Sequence, residues 1–292
     1  MKGVILRGVG GVYHVLDAEG RTHALKAQAK LRHLHMTPMV GDEVLFAPGE
    51  GEKYGWLTEI LPRRNQLARP PVSNVDMFLA VTAAASPEPD LGLIDRLLLC
   101  AQLNRVPASL VVNKRDLSPG AAAEIARQYR GAGVPIFLTG AHADEGIEPL
   151  REFLNGKVCA LGGPSGVGKS TLINALFGFE RTTGGLSMRI ERGKHTTRHC
   201  ELIPVEGGAA VLDTPGFSLL ELPLLNPMEL SALMPEFSPY AGKCRFSGCM
   251  HISEPDCPAL NALHAGGIDR ERWARYAALA EEMRIRWRER YG

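Results

Sequence analysis

The 292-residue sequence predicts an α/β protein in three parts: a small β-barrel, a largely parallel sheet with helices on both faces, and a helical unit built around a metal cluster. Three observations carry this expectation. Residues 3–61 alternate short β-type runs with Gly, Asp and Pro turns. From Met77 onward, apolar runs alternate with helical patterns, as strands covered on both faces require. Three Cys and one His fall within residues 244–257, and such clustering in a reducing compartment points to a metal. At roughly 150 residues per domain the length suggests about two domains, or three if one is small. The expected boundaries are 1–66, 67–222 and 223–292.

Each element follows from local chemistry. GVILRGVGGVYHVLDAEGRTHAL and VGDEVLFAPGEGEKYGWLTEIL supply short strands that close as a barrel or a sandwich. PRRNQLARPPVSNVD reads as a linker, because Pro62, Pro70 and Pro71 oppose regular structure. MFLAVTA, ASLVVN, PIFLTG, KVCALGG, ELIPVE and AAVLDT are the buried runs. Helices are expected through 93–103, near 119–131, near 145–154 and at 170–177. Asn226-Pro227-Met228-Glu229 is a capping box with Pro at the first helical position, so a helix starts there. The last helix starts at Asp269, with Ile268 and Trp273 placed as a hydrophobic staple. Its Trp273, Tyr276, Leu279, Met283 and Trp287 recur at spacings of three and four, so one face packs.

Composition excludes several classes. Hydrophobic residues at 45% and charged residues at 22% are the balance of a globular chain, not a disordered or fibrous one. Apolar stretches end well short of the ~20 residues a membrane helix needs, and Arg7 breaks the N-terminal run before any cleavage signal. A cytoplasmic protein without a membrane partner is expected. Net charge is +1, and the first 70 residues carry ten Lys and Arg against seven Asp and Glu, too small an excess to argue nucleic-acid binding from charge alone. The scattered Cys100, Cys159 and Cys200 read as small buried hydrophobes.

The chemistry lies in loops that follow the apolar runs. Gly163-Pro164-Ser165-Gly166-Val167-Gly168-Lys169-Ser170, with Thr171 behind it, fits a P-loop between the strand KVCALG and the helix STLINALF. Its glycines let backbone N–H groups face a phosphate at a helix N-terminus. Lys169 would neutralise β/γ oxygens and the Ser170 hydroxyl would ligate Mg²⁺. A Gly-rich turn is the bland alternative. Asp213-Thr214-Pro215-Gly216 ends AAVLD, where Asp213 would hold Mg²⁺ through water and the Gly216 N–H would sense a γ-phosphate. Asn113-Lys114-Arg115-Asp116 ends ASLVV. The Asp116 carboxylate suits the N1–H and exocyclic amine of guanine, whereas adenine would leave it unpaired. Lys114 would cover the base, and Asn113 would tie this loop to the P-loop. Thr139-Gly140-Ala141 would offer an N–H to guanine O6.

These are GTPase motifs in an unusual order, because N-K-R-D and T-G-A precede the P-loop and D-T-P-G. That order implies circular permutation, which folds tolerate where the original termini lie close together. Switch I is expected between 179 and 200, with either Thr196 or Thr197 on the metal. Phe217 follows D-T-P-G where small GTPases place a water-orienting Gln, so another group must position water; His195 is the nearest candidate, against the reading of a solvated loop histidine. Unassisted turnover should then be slow, about 10⁻⁴ s⁻¹. Cys244, Cys249, His251 and Cys257 offer three thiolates and an imidazole, a set suited to one closed, structural Zn²⁺.

Taken together the chain resembles the RsgA (YjeQ) family of circularly permuted, ribosome-associated GTPases. The likeness spans V-G-D at 40–42, RRNQLARP, N-K-R-D, G-P-S-G-V-G-K-S, G-K-H-T-T, D-T-P-G-F and C-R-F-x-x-C-x-H-x-x-E-P-x-C. It implies an N-terminal OB-fold, a permuted GTPase domain and a C-terminal zinc domain. It also implies binding to the small ribosomal subunit and its rRNA, a role in late maturation of that subunit, and hydrolysis of GTP to GDP stimulated by it. The family's switch I histidine matches His195. Two departures are T-G-A in place of a Ser-Ala loop, and Arg198 where relatives continue the threonine run. A nucleotide-gated rRNA-binding scaffold with negligible catalysis is the alternative, sustained by Phe217. An ATP-dependent enzyme would require ignoring Asp116. For RNA contact the barrel offers Tyr13, Phe46, Tyr54 and Trp56 among Lys26, Lys30, Arg32, Arg63, Arg64 and Arg69, although aromatics in a small barrel more often pack inward. A monomer is expected.

Overall fold

The computed structural model describes residues 1–33, 36–49, 53–68, 71–178, 200–205, 208–213 and 222–290. The N-terminal strands β1 (Lys2–Val9), β2 (Val12–Asp17), β3 (Thr22–Ala27), β4 (Glu43–Ala47) and β5 (Gly55–Ile60) close into a five-stranded barrel, with the short helix α1 (Ala29–His33) after β3. Closure comes from β1 pairing with both β2 and β4, while β3 and β5 run parallel, as in an OB-fold. Period-two alternation sends Ile5, Val15, Leu25, Val44, Phe46 and Leu57 inward. The β1–β2 turn is Gly10-Gly11, both with positive φ (58° and 79°), which a two-residue hairpin turn demands.

The Pro-rich stretch expected to be an irregular linker is an ordered ribbon. In it β6 (Gln66–Ala68) pairs antiparallel with β7 (Pro71–Ser73). Pro71 is tolerated because it opens its strand, where a missing N–H costs no ladder bond. The flanking V-G-D and R-R-N segments bind the ribbon to the barrel. Asp42, fully buried, accepts from Arg63 Nε (2.7 Å) and Nη2 (2.8 Å), Ser73 Oγ (2.6 Å) and the Met39 N–H (2.7 Å). Asn74 Nδ2 donates to the Gly41 carbonyl at 2.9 Å.

The central sheet holds β8 (Met77–Ala83), β9 (Ala108–Asn113), β10 (Ile136–Leu138), β11 (Val158–Gly162), β12 (Glu201–Pro204) and β13 (Ala210–Asp213). The order is β10-β9-β8-β11-β13-β12; all are parallel except β12, which runs against β13. A single pair, Arg7 with Glu201, joins β1 to β12 and makes the barrel and sheet continuous. Alternation along β8 sorts the two faces. Phe78 and Ala80 pack under α2 (Leu91–Leu103) and α3 (Pro119–Gln128), and Met77, Leu79 and Val81 under α4 (Ile147–Leu154) and α5 (Lys169–Phe177).

In the C-terminal part Asn226 caps α6 (Pro227–Leu230) by accepting the Met228 N–H, while the Glu229 N–H that a capping box would use goes to the Asn226 carbonyl, and the helix is a single turn. Two 3₁₀ segments follow, Ser231–Leu233 and Pro235–Tyr240, because Pro235 and Pro239 cannot continue an α-helical ladder. Helix α7 (Pro258–His264) leads to α8 (Arg270–Glu289), capped by Asp269. Tyr276, Leu279 and Met283 of α8 share a core with Leu230, Phe237, Cys249 and Cys257, and with Leu99 and Cys100 of α2. Among the described residues no helix is long and apolar enough to cross a membrane.

Candidate functional site: a nucleotide pocket and a metal centre

Because β8, β9, β10, β11 and β13 are parallel, their C-terminal ends meet at one edge of the sheet, where open α/β folds place ligands. The P-loop leaves β11 there and runs into α5. Gly163 has φ +150°, and a Cβ on it would lie 2.0 Å from the Val81 carbonyl oxygen. Gly168 has φ +92°, and its Cβ would lie 2.5 Å from Asn113 Nδ2. Neither position tolerates a side chain, which is the physical reason for glycine at both. Gly166, with φ +80°, turns the loop between them. Lys169 Nζ lies within the loop, 2.9 Å from the Gly163 carbonyl and 2.8 Å from that of Pro164. Burial lowers its pKa, a penalty that phosphate charge would offset. Val167 is buried, whereas Ser165 and Ser170 are exposed and Thr171 half-buried in the first turn of α5.

Asn113 joins three loops. It is 2% exposed; its Nδ2 donates to the Val167 carbonyl (2.9 Å), and its Oδ1 accepts from Thr139 Oγ1 (3.1 Å) and the Ala141 N–H (3.3 Å). Lys114, in the left-handed region at φ 58°, sends Nζ to the Gly166 carbonyl (2.8 Å) and to the Ser86 carbonyl. The Asp116 carboxylate is exposed and abuts Gly140, whose added Cβ would lie 2.8 Å from Asp116 Oδ1. In the T-G-A loop the Thr139 N–H donates to Val112 O (2.9 Å) and that of Gly140 to Glu145 O (2.9 Å). The Ala141 contact with Asn113 is the longest of the three, so this N–H is the least committed.

The structure thus brings 113–116, 139–141 and 163–171 together. Asp213 ends β13, with Leu212 in register with Ala160 of the P-loop strand, which sets it at the same edge. Gly216, Phe217, His195, Thr196 and Thr197 lie outside the described residues. Sequence reasoning missed the loop 84–90. Its Ser86 carbonyl holds Lys114, and Pro87 lies 3.7 Å from where a Gly166 Cβ would stand. The available signal was topological. Once β8 is placed between β9 and β11, the loop that follows it must lie between N-K-R-D and the P-loop.

The second site is in the C-terminal part. Cys244, Cys249, His251 and Cys257 place their donor atoms within 4.8 Å of one another, a set that can hold a metal ion. His251 Nδ1 lies 3.5, 3.4 and 3.2 Å from the sulfurs of Cys244, Cys249 and Cys257. Burial lowers the His251 pKa and favours the neutral imidazole, the ligating form. His251 has φ 57°, and the knuckle is held in shape from two sides. Glu254 accepts the N–H groups of Met250 (2.6 Å), Ile252 (2.8 Å) and Ser253 (3.1 Å). From α8, Trp273 Nε1 donates to the His251 carbonyl (2.8 Å) and Tyr276 OH to that of Met250 (2.6 Å). The apolar stripe of the last helix is therefore the platform of the metal loop.

Comparison with known proteins agrees with this arrangement. The RsgA GTPase family model matches residues 60–223 and the RsgA N-terminal domain model residues 2–57. Among curated proteins, the small ribosomal subunit biogenesis GTPase RsgA of Agathobacter rectalis is 40% identical over 98% of this chain and 99% of its own length. Its counterpart in Caldanaerobacter subterraneus subsp. tengcongensis is 39% identical over 100% and 98%. Among solved structures, YjeQ from Thermotoga maritima matches with a TM-score of 0.82 at 33% identity, covering 97% of this chain and 98% of that one. YloQ, described as a circularly permuted GTPase, matches with a TM-score of 0.79 at 31% identity over 98% and 95%. On motif order, barrel closure and full-length likeness alike, this chain belongs to the RsgA GTPase family.

Proposed function

We propose that this chain binds GTP at the sheet edge, hydrolyses it to GDP when docked on the small ribosomal subunit, and so assists maturation of that subunit. The observation that carries the reading is the triple contact of Asn113, which binds base-side and phosphate-side loops into one pocket despite their scrambled order. Asp116 takes the guanine edge, Lys114 covers the base, and Ala141 N–H reaches O6. The P-loop amides and Lys169 hold the phosphates, and Mg²⁺ bound with them supplies charge neutralisation through Ser170, Asp213 and Thr196 or Thr197. His195 positions water and Gly216 senses the γ-phosphate. Each of these roles is an assignment from residue chemistry and motif position.

The metal is assigned as one structural Zn²⁺. Zn–S bonds of about 2.3 Å imply a tetrahedron whose S···S edges are about 3.8 Å; Cys244–Cys257 and Cys249–Cys257 stand at 3.9 and 3.6 Å. All four donors belong to the protein, so no position is left for a substrate. For rRNA the barrel offers half-exposed Tyr54 and Trp56, with Lys26 Nζ 4.7 Å above the Tyr54 ring and Lys26 beside Trp56 in register. Phe46 is core.

The deciding measurement is phosphate release from GTP with and without purified small subunits. Strong stimulation supports the reading, and equal, negligible rates would favour a scaffold. Asp116→Asn should move preference from guanine to xanthine nucleotides, and an unchanged preference would remove the base assignment.

A further inference from the structure

Helix α2 is shared by the two sites. At its N-terminal end, loop 84–90 gives the Ser86 carbonyl to Lys114 and sets Pro87 against Gly166. On its outer face Asp95, 5% exposed, receives Arg272 Nη1 and, at 2.7 Å, Arg275 Nε, both from α8. Arg272 Nε donates to Glu236 at 2.8 Å, and Arg275 Nη1 to Gln128 at 2.8 Å. Tyr129 OH donates to Asp95 and lies 3.1 Å from the Leu91 carbonyl. Two carboxylates and two guanidiniums thus form a balanced quartet across the seam between the central and C-terminal parts, buried except for the partly exposed Arg275. Burial opposes the charge on Arg272, yet Asp95 and Glu236 keep its pKa above the ordinary value. The next residue of α2, Arg96, pairs with Glu282 of α8, about two turns beyond Arg275. The next residues of α8, Trp273 and Tyr276, hold the metal knuckle.

The seam is tight in charge but not in space. A cavity of about 170 Å³ lies between α2 and α8, lined by Gly92, Leu99, Met234 and Leu279 among others. Within the quartet, Arg275 Nη2 and Glu236 Oε2 are buried without a hydrogen-bond partner among the described residues. Protein interiors are normally close-packed with their polar groups paired, so this seam is less fully committed than a core contact.

We propose that Asp95, Arg275 and Glu282 are positioning residues for the nucleotide. They let the metal-bearing part set where α2 lies, and through loop 84–90 whether Ser86 holds Lys114 over the base. A load on the C-terminal part would then alter nucleotide release through α2. This inference presupposes the guanine pocket proposed above.

The test is stopped-flow release of a fluorescent GDP analogue from the full-length, metal-loaded chain. Arg275→Ala and, at the more exposed pair, Glu282→Gln are compared with Arg127→Ala. Arg127 bridges the same seam to Asp269 and Glu271 but from α3, not α2. Release should quicken by roughly twofold to thirtyfold in the first two variants, the range of such couplings, with Arg275→Lys recovering part of it. Arg127→Ala should match the unmodified chain. Metal content and thermal melting are read in parallel, because a merely structural role would lower melting and leave release unchanged. Equal release rates in all variants would overturn the inference, as would acceleration by Arg127→Ala equal to that by Arg275→Ala. If Arg275→Ala does not fold, Glu282→Gln decides alone. Failure of the unmodified chain to bind the analogue would overturn the pocket itself, and this inference with it.

Discussion

Asn113 shows how one amide can replace chain continuity. Its side chain spans loops separated by 26 and 54 residues, and both of its polar atoms are spent inside the protein at 2% exposure. Asn113→Ala would leave the Val167 carbonyl and the Thr139 hydroxyl unpaired in a buried site. At about 1–3 kcal/mol for each of the two orphaned groups, stability should fall by roughly 2–6 kcal/mol and guanine nucleotide affinity by at least about tenfold. Calorimetric binding of GDP together with denaturant melts would check this, and affinity within twofold of the unmodified protein would contradict it. Asn113→Asp keeps the acceptor and loses the donor to Val167, so it should retain the Thr139 contact and still fail at the P-loop. The tolerance is set by Gly168, whose missing Cβ is what lets Asn113 Nδ2 approach.

The ribbon β6–β7 teaches the converse lesson at the level of an element. Three prolines in a short span argue against regular structure, and the ribbon forms anyway because Asp42 and Arg63 fasten it from the barrel side. That pairing joins residues 21 positions apart through a fully buried carboxylate, and no local pattern announces it. The regular elements were legible because their signals are local. Alternation marks the barrel strands, apolar runs mark β8, β9 and β11, and the spacing of Trp273, Tyr276 and Leu279 marks the buried face of α8. The P-loop and the Cys/His cluster were legible for the same reason, each being contiguous. The Asp95 quartet and the Ser86 carbonyl were not, since a lone aspartate in a helix and a backbone oxygen in a loop carry no pattern. Arg63→Ala should therefore cost about 3–5 kcal/mol, the penalty for a buried charge left alone, and should loosen the barrel before the central sheet. The pair replaced together by Asp42→Leu and Arg63→Met should lose less than Arg63→Ala alone. Chemical denaturation of the two variants would measure the difference, and a double variant that loses as much stability as Arg63→Ala, or more, would refute the account.

Across the whole molecule, one sheet runs from β10 to the barrel, and one apolar core runs from α2 through the metal knuckle to Met283. The C-terminal core includes Cys249 and Cys257 themselves, so an ion held by those thiolates would add to its cohesion. The central sheet has its own two cores and needs no such support. Chelation should accordingly divide the molecule. Amide exchange should rise over 244–257 and α8, while β8, β9 and β11 stay protected, and re-addition of Zn²⁺ should restore the first group. Helix α2 is the informative element, because its inner face belongs to the sheet core and its outer residues Leu99 and Cys100 to the core that contains Cys249 and Cys257. It should show intermediate protection, falling at 91–96 as the partners of Asp95 and Arg96 are released. Uniform protection along α2 with and without the ion would mean that the C-terminal part rests on the central domain without bearing on it. Graded protection would place the mechanical link between metal centre and nucleotide pocket in that helix.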